Sequence, residues 1–433
     1  MKVYLDAIGC RLNQSEVETI ARQLLAAGHE IVTYPEKADK VIINTCTVTR
    51  EAARDSRSRT RRCHRKNPSA EVILTGCYAT IAPEELAQVE GAGRIVANKD
   101  KDRIIQLVDP NIPVNIPVYD REPVLRDFLT LNMGNTRAFV KVQDGCDNRC
   151  TFCITTIARG KGWSRGIGEV VTEIQGLATA GYKEAVLTGV HLGSYGMDLE
   201  GTDRLIDLVE AVLVDTDIPR LRLSSLEPWD IPGNFFELWS DPRLLPHLHV
   251  PLQSGSDKIL KRMARRTNRS SFRDIVDSAR YNIPNLNLST DLIAGFPGEN
   301  ERDFEDTLEF TSEIGFSRLH VFTYSRRPGT AAEKMDGQLP KPIKKKRARK
   351  LIELGKQLSL AFHQRNDGRM LSVLWERVET SDLKGDCWIG YSENYIRIRA
   401  RSAVDLSNQI TPTVVSEPSP EGMMGVIRIA AQN

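Results

Sequence analysis

Asp144-Gly-Cys-Asp-Asn-Arg-Cys-Thr-Phe-Cys153 is the run on which the reading of this 433-residue chain turns. It sets Cys146, Cys150 and Cys153 in a CxxxCxxC triplet directly after the strand-like stretch 138–143. Three thiolates on so short a loop can hold three irons of a [4Fe–4S] cube, whose usual protein ligands are cysteines. The fourth iron is then open to an outside ligand. A structural zinc site wants four ligands, commonly two CxxC pairs, and the chain has no second CxxC.

An open iron next to a one-electron donor suits reductive cleavage of S-adenosylmethionine (SAM), a cofactor that carries radical chemistry. The triplet resembles the signature of the radical-SAM superfamily. Downstream, six apolar runs each end in a loop marked by Gly, Ser or Pro. They cover residues 138–143, 185–188, 221–224, 247–250, 288–293 and 319–323, with helix-like stretches between them. This alternation predicts a partial (βα)6 TIM-like barrel over residues 136–335, with functional groups on the rim at the strands' C-terminal ends. The loops offer residue types that suit SAM. Gly189 lets backbone approach the methionine amine, Glu227 can accept from a ribose hydroxyl or ammonium, and Gln253 and Ser254 can bond the carboxylate or sugar. Gly295 and Gly298 allow close approach to the adenine. Glycine after a strand also serves as plain turn chemistry. His191, His247 and His249 are read as packing or hydrogen-bonding residues, because thiolates already account for the metals.

Toward the N-terminus, three further cysteines repeat one placement. Cys10, Cys46 and Cys77 each follow a short apolar run by one to three residues. Strands alternating with helices predict a parallel sheet over residues 1–105, and ligands gather outside the carboxyl ends of such strands. That placement brings the three cysteines to one edge as a second, auxiliary [4Fe–4S] site. Cys63 and Cys387 lack it and are read as ordinary thiols.

Gly9-Cys-Arg-Leu-Asn-Gln14, Asn44-Thr-Cys-Thr-Val-Thr49, Thr75-Gly-Cys77 and the CxxxCxxC loop, in this order, resemble the radical-SAM methylthiotransferases, and within them the MtaB branch. The resemblance spans nearly the whole chain. It implies an N-terminal methylthiotransferase domain, a radical-SAM barrel and a C-terminal TRAM domain. It also implies two clusters, one cleaving SAM to a 5′-deoxyadenosyl radical and the other supplying or carrying sulfur, while a second SAM supplies the methyl group. The implied product is the 2-methylthio derivative of N6-threonylcarbamoyladenosine at position 37 of tRNA, next to the anticodon. Relatives that act on isopentenyladenosine in tRNA, or on a ribosomal-protein aspartate, are the alternatives, and their first motif differs from Gly-Cys-Arg-Leu-Asn-Gln. An RNA-binding iron–sulfur module without enzymatic activity would leave the six SAM-type loops unexplained. One departure from the family pattern lies beside the triplet. Ile154-Thr-Thr-Ile157 stands where relatives carry an Ile-Pro-Tyr-like sequence.

Charge and composition bound the partners. With 59 basic and 57 acidic residues there is no global cationic field, so an RNA surface must be local. Residues 50–66 carry eight basic and two acidic residues, and 341–350 carry seven basic residues and no acid. Arg57, Arg61, Lys345 and Lys346 are the candidate phosphate contacts in these segments, which can equally be solvated helix faces. Residues 106–135, with four prolines, read as a linker, and 336–368 as a basic helical connector. Beyond 369 the texture turns β-rich, predicting a small TRAM-like barrel over 369–433 in which Tyr395 and Arg397 are candidates for base stacking and phosphate pairing. No apolar run approaches the roughly 18–20 residues of a membrane span. Eight cysteines with no secretion signal point to reduced thiols and the cytoplasm. tRNA, a flavodoxin- or ferredoxin-type electron donor and a monomeric state complete the expectations.

Overall fold

Strands at the N-terminus are near-continuous apolar runs such as Val41-Ile-Ile43 and Val72-Ile-Leu74, the pattern of a parallel sheet covered on both faces. The computed structural model describes residues 1–111, 136–382 and 385–428. In it, β1 (Lys2–Ala7), β2 (Glu30–Val32), β3 (Lys40–Thr45), β4 (Glu71–Gly76) and β5 (Arg94–Ile95) form a parallel sheet in the order β2-β1-β3-β4-β5. Helices α1 (Arg11–Ala26) and α2 (Arg50–Lys66) follow β1 and β3. Short helices α3 (Cys77–Ile81), α4 (Pro83–Ala87) and α5 (Ile104–Val108) complete the layer. The expected linker thus begins as the end of α5, and from residue 112 to 135 it lies outside the described residues.

The middle of the chain starts with β6 (Arg137–Lys141), then a small hairpin of β7 (Gln143–Asp144) and β8 (Trp163–Ser164) around the cysteine loop. The remaining barrel strands are β9 (Glu184–Thr188), β10 (Leu221–Leu223), β11 (His247–His249), β12 (Asn287–Ala294) and β13 (Arg318–Thr323). They run parallel in two sets, β6-β9-β10 and β11-β12-β13, with spatial order equal to chain order. The sets join where the Leu226 N–H donates to the His249 carbonyl at 3.0 Å. This is the expected six-stranded open barrel. Its helices are α6 (Thr155–Arg159), α7 (Ile167–Thr179), α8 (Leu205–Asp215), α9 (Asp257–Arg262), α10 (Arg269–Asn282), α11 (Glu301–Ile314) and α12 (Lys341–Gln364). Local signals fix their ends: Asn300 and Asp303 form a capping box on α11, and Gly315 stops it in a left-handed turn with φ of 64°.

Alternation along the barrel strands separates two environments. Val170, Ile174, Leu208 and Val212 pack with Ala185, Leu187 and Leu248 as the outer core. The opposite face turns Arg137, Glu184, Arg222, His247, His249 and Asp291 into the lumen. Glu184 and Arg222 are fully buried and paired at 2.8 Å, so neither charge is left alone in a low dielectric.

The C-terminal strands β14 (Met370–Asp382), β15 (Gly385–Ser392), β16 (Arg397–Ser402), β17 (Ile410–Ser419) and β18 (Gly422–Ile427) close into a barrel ordered β14-β15-β16-β18-β17. Four runs were legible in sequence. The missed strand is β17, whose Pro412 and Pro418 argue against a strand even though both are accommodated here.

Polar contacts dock the three layers, among them Arg22 of α1 with Glu173 of α7 at 3.0 Å. α1 packs against β6, and its Glu16 meets Lys101 at 2.5 Å and the barrel's Arg159 at 3.0 Å. Arg159, only 3% exposed, also pairs with Asp144 at 2.9 Å and donates to Asn13 Oδ1 at 2.7 Å. Burial opposes ionisation of Glu16, but Lys101, Arg159 and Lys141 outweigh it and hold the carboxyl far below its ordinary range. Farther down, Tyr395 of the small barrel accepts from Arg11 at 2.7 Å and from Arg137 at 2.9 Å, so one hydroxyl ties all three layers. Its ring lies under the Arg222 guanidinium and against His247, and its backbone is left-handed with φ of 64°, a strained setting for a bulky residue.

Two outcomes follow from this docking. Arg159→Met leaves Glu16 and Asp144 short of their buried cation and should cost about 3–5 kcal/mol in urea unfolding. Burial opposes ionisation of Tyr395, yet Arg137, Arg11 and Arg222 bring its phenol down to about 8 from 10. Stability should therefore climb as pH rises from 8 to 10, by about 2 kcal/mol, and Tyr395→Phe should flatten that rise.

Candidate active site

The CxxxCxxC loop follows β7 and is stitched to the barrel at several points. Thr151 N–H donates to the Met263 carbonyl at 3.0 Å, and its hydroxyl to the Arg262 carbonyl at 2.9 Å. Cys146 N–H donates to Gly160 O at 3.1 Å. Gly145 must be glycine: its φ is 70°, and a Cβ would sit 2.0 Å from the Lys161 carbonyl. Backbone and side-chain donors converge on the sulfurs. Asn148 N–H lies 3.4 Å from Cys146 Sγ, Thr155 N–H 3.4 Å from Cys153 Sγ, and Arg265 Nη1 3.8 Å from Cys150 Sγ. Hydrogen bonds to sulfur are one of the levers by which proteins tune iron–sulfur potentials. Thr155 belongs to the departing Ile154–Ile157 stretch, which here forms α6.

At the other trio, Cys10 caps α1, Cys46 follows β3, and Cys77 opens α3. A Cβ on Gly9 would lie 2.8 Å from Cys46 Sγ, so this glycine lets two of the ligand loops touch. Asn98 Nδ2 reaches Cys77 Sγ at 3.9 Å and donates to the Ala158 carbonyl of α6 at 2.8 Å. Asn13, which bonds Arg159, also faces Cys10 Sγ at 3.7 Å. α6, two residues beyond Cys153, is therefore tied through Asn98 and Asn13 to Cys77 and Cys10. Cys63 lies on the buried face of α2, in the same apolar cluster as Cys46.

The cysteines fit clusters better than single ions. Neither trio brings its three Sγ atoms within 4.8 Å of one another. A tetrahedral zinc at about 2.3 Å per thiolate needs them about 3.8 Å apart. A cube with one thiolate per iron asks for the wider spacing. Burial pushes the Cys46 thiol up to about 12 and Cys150 up to about 11, so both need a cationic partner to ionise at neutral pH.

The residues expected at the rim have these surroundings. Glu227 pairs with Arg265 through both oxygens, at 2.5 and 3.0 Å, and Arg265 links it to Cys150. Gly189 packs on Gln143, where a Cβ would meet Oε1 at 2.9 Å, and Gln143 in turn accepts from His191 N–H at 2.8 Å. Gln253 is left-handed with φ of 71° and joins its backbone to Asp291 and Ile293. Ser254 is buried against Thr307. Gly295 and Gly298 are both at positive φ, beside Lys344 and Arg262 respectively. His191 pairs with Asp230 at 2.5 Å. Sequence reasoning missed Asp291 and His320, which stand with His249 in the lumen; a lone acid inside the apolar run of β12 was the available signal.

The RNA candidates divide. Arg57 is engaged with Tyr78 and Glu85, at 2.6 and 3.0 Å, whereas Arg61 is exposed. Lys345 and Lys346 line an open groove of about 390 Å³ with Lys341, Pro342 and Arg349. Arg347 turns inward to Glu299. Tyr395 faces the large barrel instead of offering a stacking platform, because three arginines compete for its hydroxyl and ring. Arg397 shares Glu379 with Arg399.

Sequence comparison matches residues 2–97 to the "Uncharacterized protein family UPF0004" and residues 140–311 to the radical SAM superfamily. The threonylcarbamoyladenosine tRNA methylthiotransferase MtaB of Bacillus subtilis is 34% identical, covering 94% of this chain and 92% of that one. The protein of the same name from Aquifex aeolicus is 37% identical over 92% of this chain and 96% of its own. Among solved structures, the radical SAM methyltransferase TsrM from Kitasatospora setae aligns with a TM-score of 0.56 at 14% identity, covering 88% of this chain and 79% of that one, a likeness of fold. With two cysteine trios linked through one short helix and relatives matched along nearly its full length, the chain belongs to the radical-SAM tRNA methylthiotransferase family.

Proposed function

We propose that this protein adds a methylthio group to C2 of N6-threonylcarbamoyladenosine at position 37 of tRNA. The observation that carries this reading is the pair of cysteine trios joined through Asn98 and Arg159. Bound there, two [4Fe–4S] clusters and SAM supply the one-electron chemistry, sulfur and methyl group that an unactivated aromatic C–H requires. The chain's own residues position and shield. Arg265 bonds both Glu227 oxygens beside Cys150, which holds that side chain in one orientation at the rim. Gly189, Glu227, Gln253, Ser254, Gly295 and Gly298 are assigned to the SAM side of that rim. Lys345, Lys346 and Arg61 are assigned to tRNA phosphates, with Arg57 and Arg397 at the margins of the same basic surfaces.

Among the described residues no helix is long and apolar enough to cross a membrane. The enzyme is assigned to the cytoplasm as a monomer that takes electrons from a flavodoxin- or ferredoxin-type protein.

Anaerobically reconstituted protein should hold about eight irons, two cubes' worth, and Cys146→Ala should lose about half. Iron assay with zinc assay in parallel checks this, and a zinc-loaded, iron-free protein would refute it. Replacing Lys345 and Lys346 by alanine should reduce the slope of log Kd for tRNA against log salt by about 1 to 2. The substrate itself is tested by nucleoside mass spectrometry of a deletion strain. Loss of the methylthio-threonylcarbamoyl nucleoside is expected; loss of the methylthio-isopentenyl form in its place would move the enzyme to the other branch.

A further inference from the structure

Below the rim, three strands contribute one polar group each to a single spot on the lumen wall. His249 of β11 faces Asp291 of β12 at 3.3 Å through Nε2, and His320 of β13 faces the same carboxylate at 3.6 Å through Nδ1. The three ligand atoms lie within 4.8 Å of one another, the one such set among the described residues. Ser289 holds the other side of His249, at 2.9 Å from Nδ1, which fixes that ring. The His249 and His320 rings sit 5.2 Å apart. His320 is on the barrel's edge strand, with its side chain 42% exposed. Its Nε2 lies on the ring side away from Asp291.

Two chemistries suit such a trio, a divalent cation or a polar organic group, and the surroundings choose between them. Arg11 and Arg318 act electrostatically on His320, and Arg222 and Arg11 on His247 just below. Arg265 stands close enough to Asp291 to favour its ionised form. Against these cations the nearby acids are Asp291 itself, Glu184, already paired with Arg222, and Glu227, already paired with Arg265, which leaves Arg11 and Arg318 facing Asp291 alone. A surplus of fixed positive charge repels a metal dication and attracts a carboxylate. Burial of its inner side and the neighbouring His249 hold His320 below its ordinary value, so its ring is neutral at pH 7 and offers one N–H and one bare nitrogen.

We propose that His249, Asp291 and His320, with Arg11, form the pocket for the N6 substituent of the target adenosine, and that the pocket selects a substituent bearing a carboxylate, a hydroxyl and an amide N–H over a hydrocarbon one. This rests on the reading of the protein as a tRNA-adenosine methylthiotransferase. Asp291 accepts from the amide N–H or hydroxyl, the two imidazoles supply a donor and an acceptor, and Arg11 faces the carboxylate. Arg11 suits that part because Tyr395 takes one of its N–H groups and its guanidinium has four more. A dimethylallyl group would leave this wall dehydrated without partners, and sites built to hydrogen-bond a group discriminate strongly against analogues that lack it.

The test uses whole reconstituted enzyme and three anticodon stem–loops differing only at position 37: threonylcarbamoyladenosine, isopentenyladenosine and adenosine. Kd and KM are measured for wild type, Asp291→Asn and His320→Leu. Wild type should prefer the threonylcarbamoyl hairpin over the adenosine hairpin. Each variant should lose that preference tenfold or more, chiefly through KM, while keeping its affinity for the adenosine hairpin. His320→Leu is on an exposed edge, and circular dichroism against wild type checks that it folds. Unchanged preference in both folded variants would overturn the pocket and leave the proposed function standing. A wild type that modifies only the isopentenyl hairpin would overturn the proposed function instead. Stoichiometric zinc, manganese or non-cluster iron lost on Asp291→Asn would show a metal site and overturn the pocket too.

Discussion

The proposed function requires two cysteine trios on separate layers to be held in register, and the buried guanidinium of Arg159 is central to the holding. Arg159 lies six residues after Cys153, at the end of the short helix α6 into which the cysteine loop leads, so a short stretch of chain connects it to the barrel's cysteines. Its other end is clamped by Glu16, Asp144 and Asn13. Asn13 is three residues along the helix that Cys10 caps. The chain of contacts from one trio to the other is thus short, charged and almost fully dehydrated. A buried ion pair of this kind adds little net stability over an apolar contact, but mispairing it is costly. That asymmetry suits a geometry that must be unique more than one that must be strong.

The lower half of the barrel answers a different demand. A lumen lined by Arg137, Glu184, Arg222 and three histidines cannot be filled with hydrocarbon without stranding charges. The small C-terminal barrel resolves this by inserting the turn that carries Tyr395, whose hydroxyl and ring satisfy Arg11, Arg137 and Arg222 together. The left-handed backbone at Tyr395 is compatible with this because three neighbours determine its position. A residue that in sequence resembles an RNA-stacking aromatic is in the fold a keystone between layers.

The outline of the fold was legible because local signals agreed with one another. Each of the six barrel strands is an apolar run with a turn-marked loop after it, and strand order in space equals strand order in sequence. Both cysteine trios could be read for similar reasons, since each cysteine is adjacent to a strand end or to another cysteine. β17 escaped because its prolines contradict its role, and β2 and β5 because three and two residues carry no pattern. The docking contacts were invisible for a deeper reason. Arg11 and Tyr395 are 384 positions apart, Glu16 and Arg159 143, and nothing local distinguishes these residues from surface polar ones. Asp291 gave a faint signal, an acid within an apolar strand, and only the fold sets His249 and His320 beside it.

The plug at the N-terminal end of the barrel has a kinetic corollary. Among the described residues, Tyr395, the Glu393 carbonyl and Asn394 occupy the floor against β10 and β12, which closes the chamber at that end. A nucleotide that enters must be swung out of its own RNA and must retreat by the doorway it used. It leaves bulkier than it arrived, past whatever occupies the rim. An occupant of the rim and a nucleotide below it would then leave in sequence, the rim clearing first.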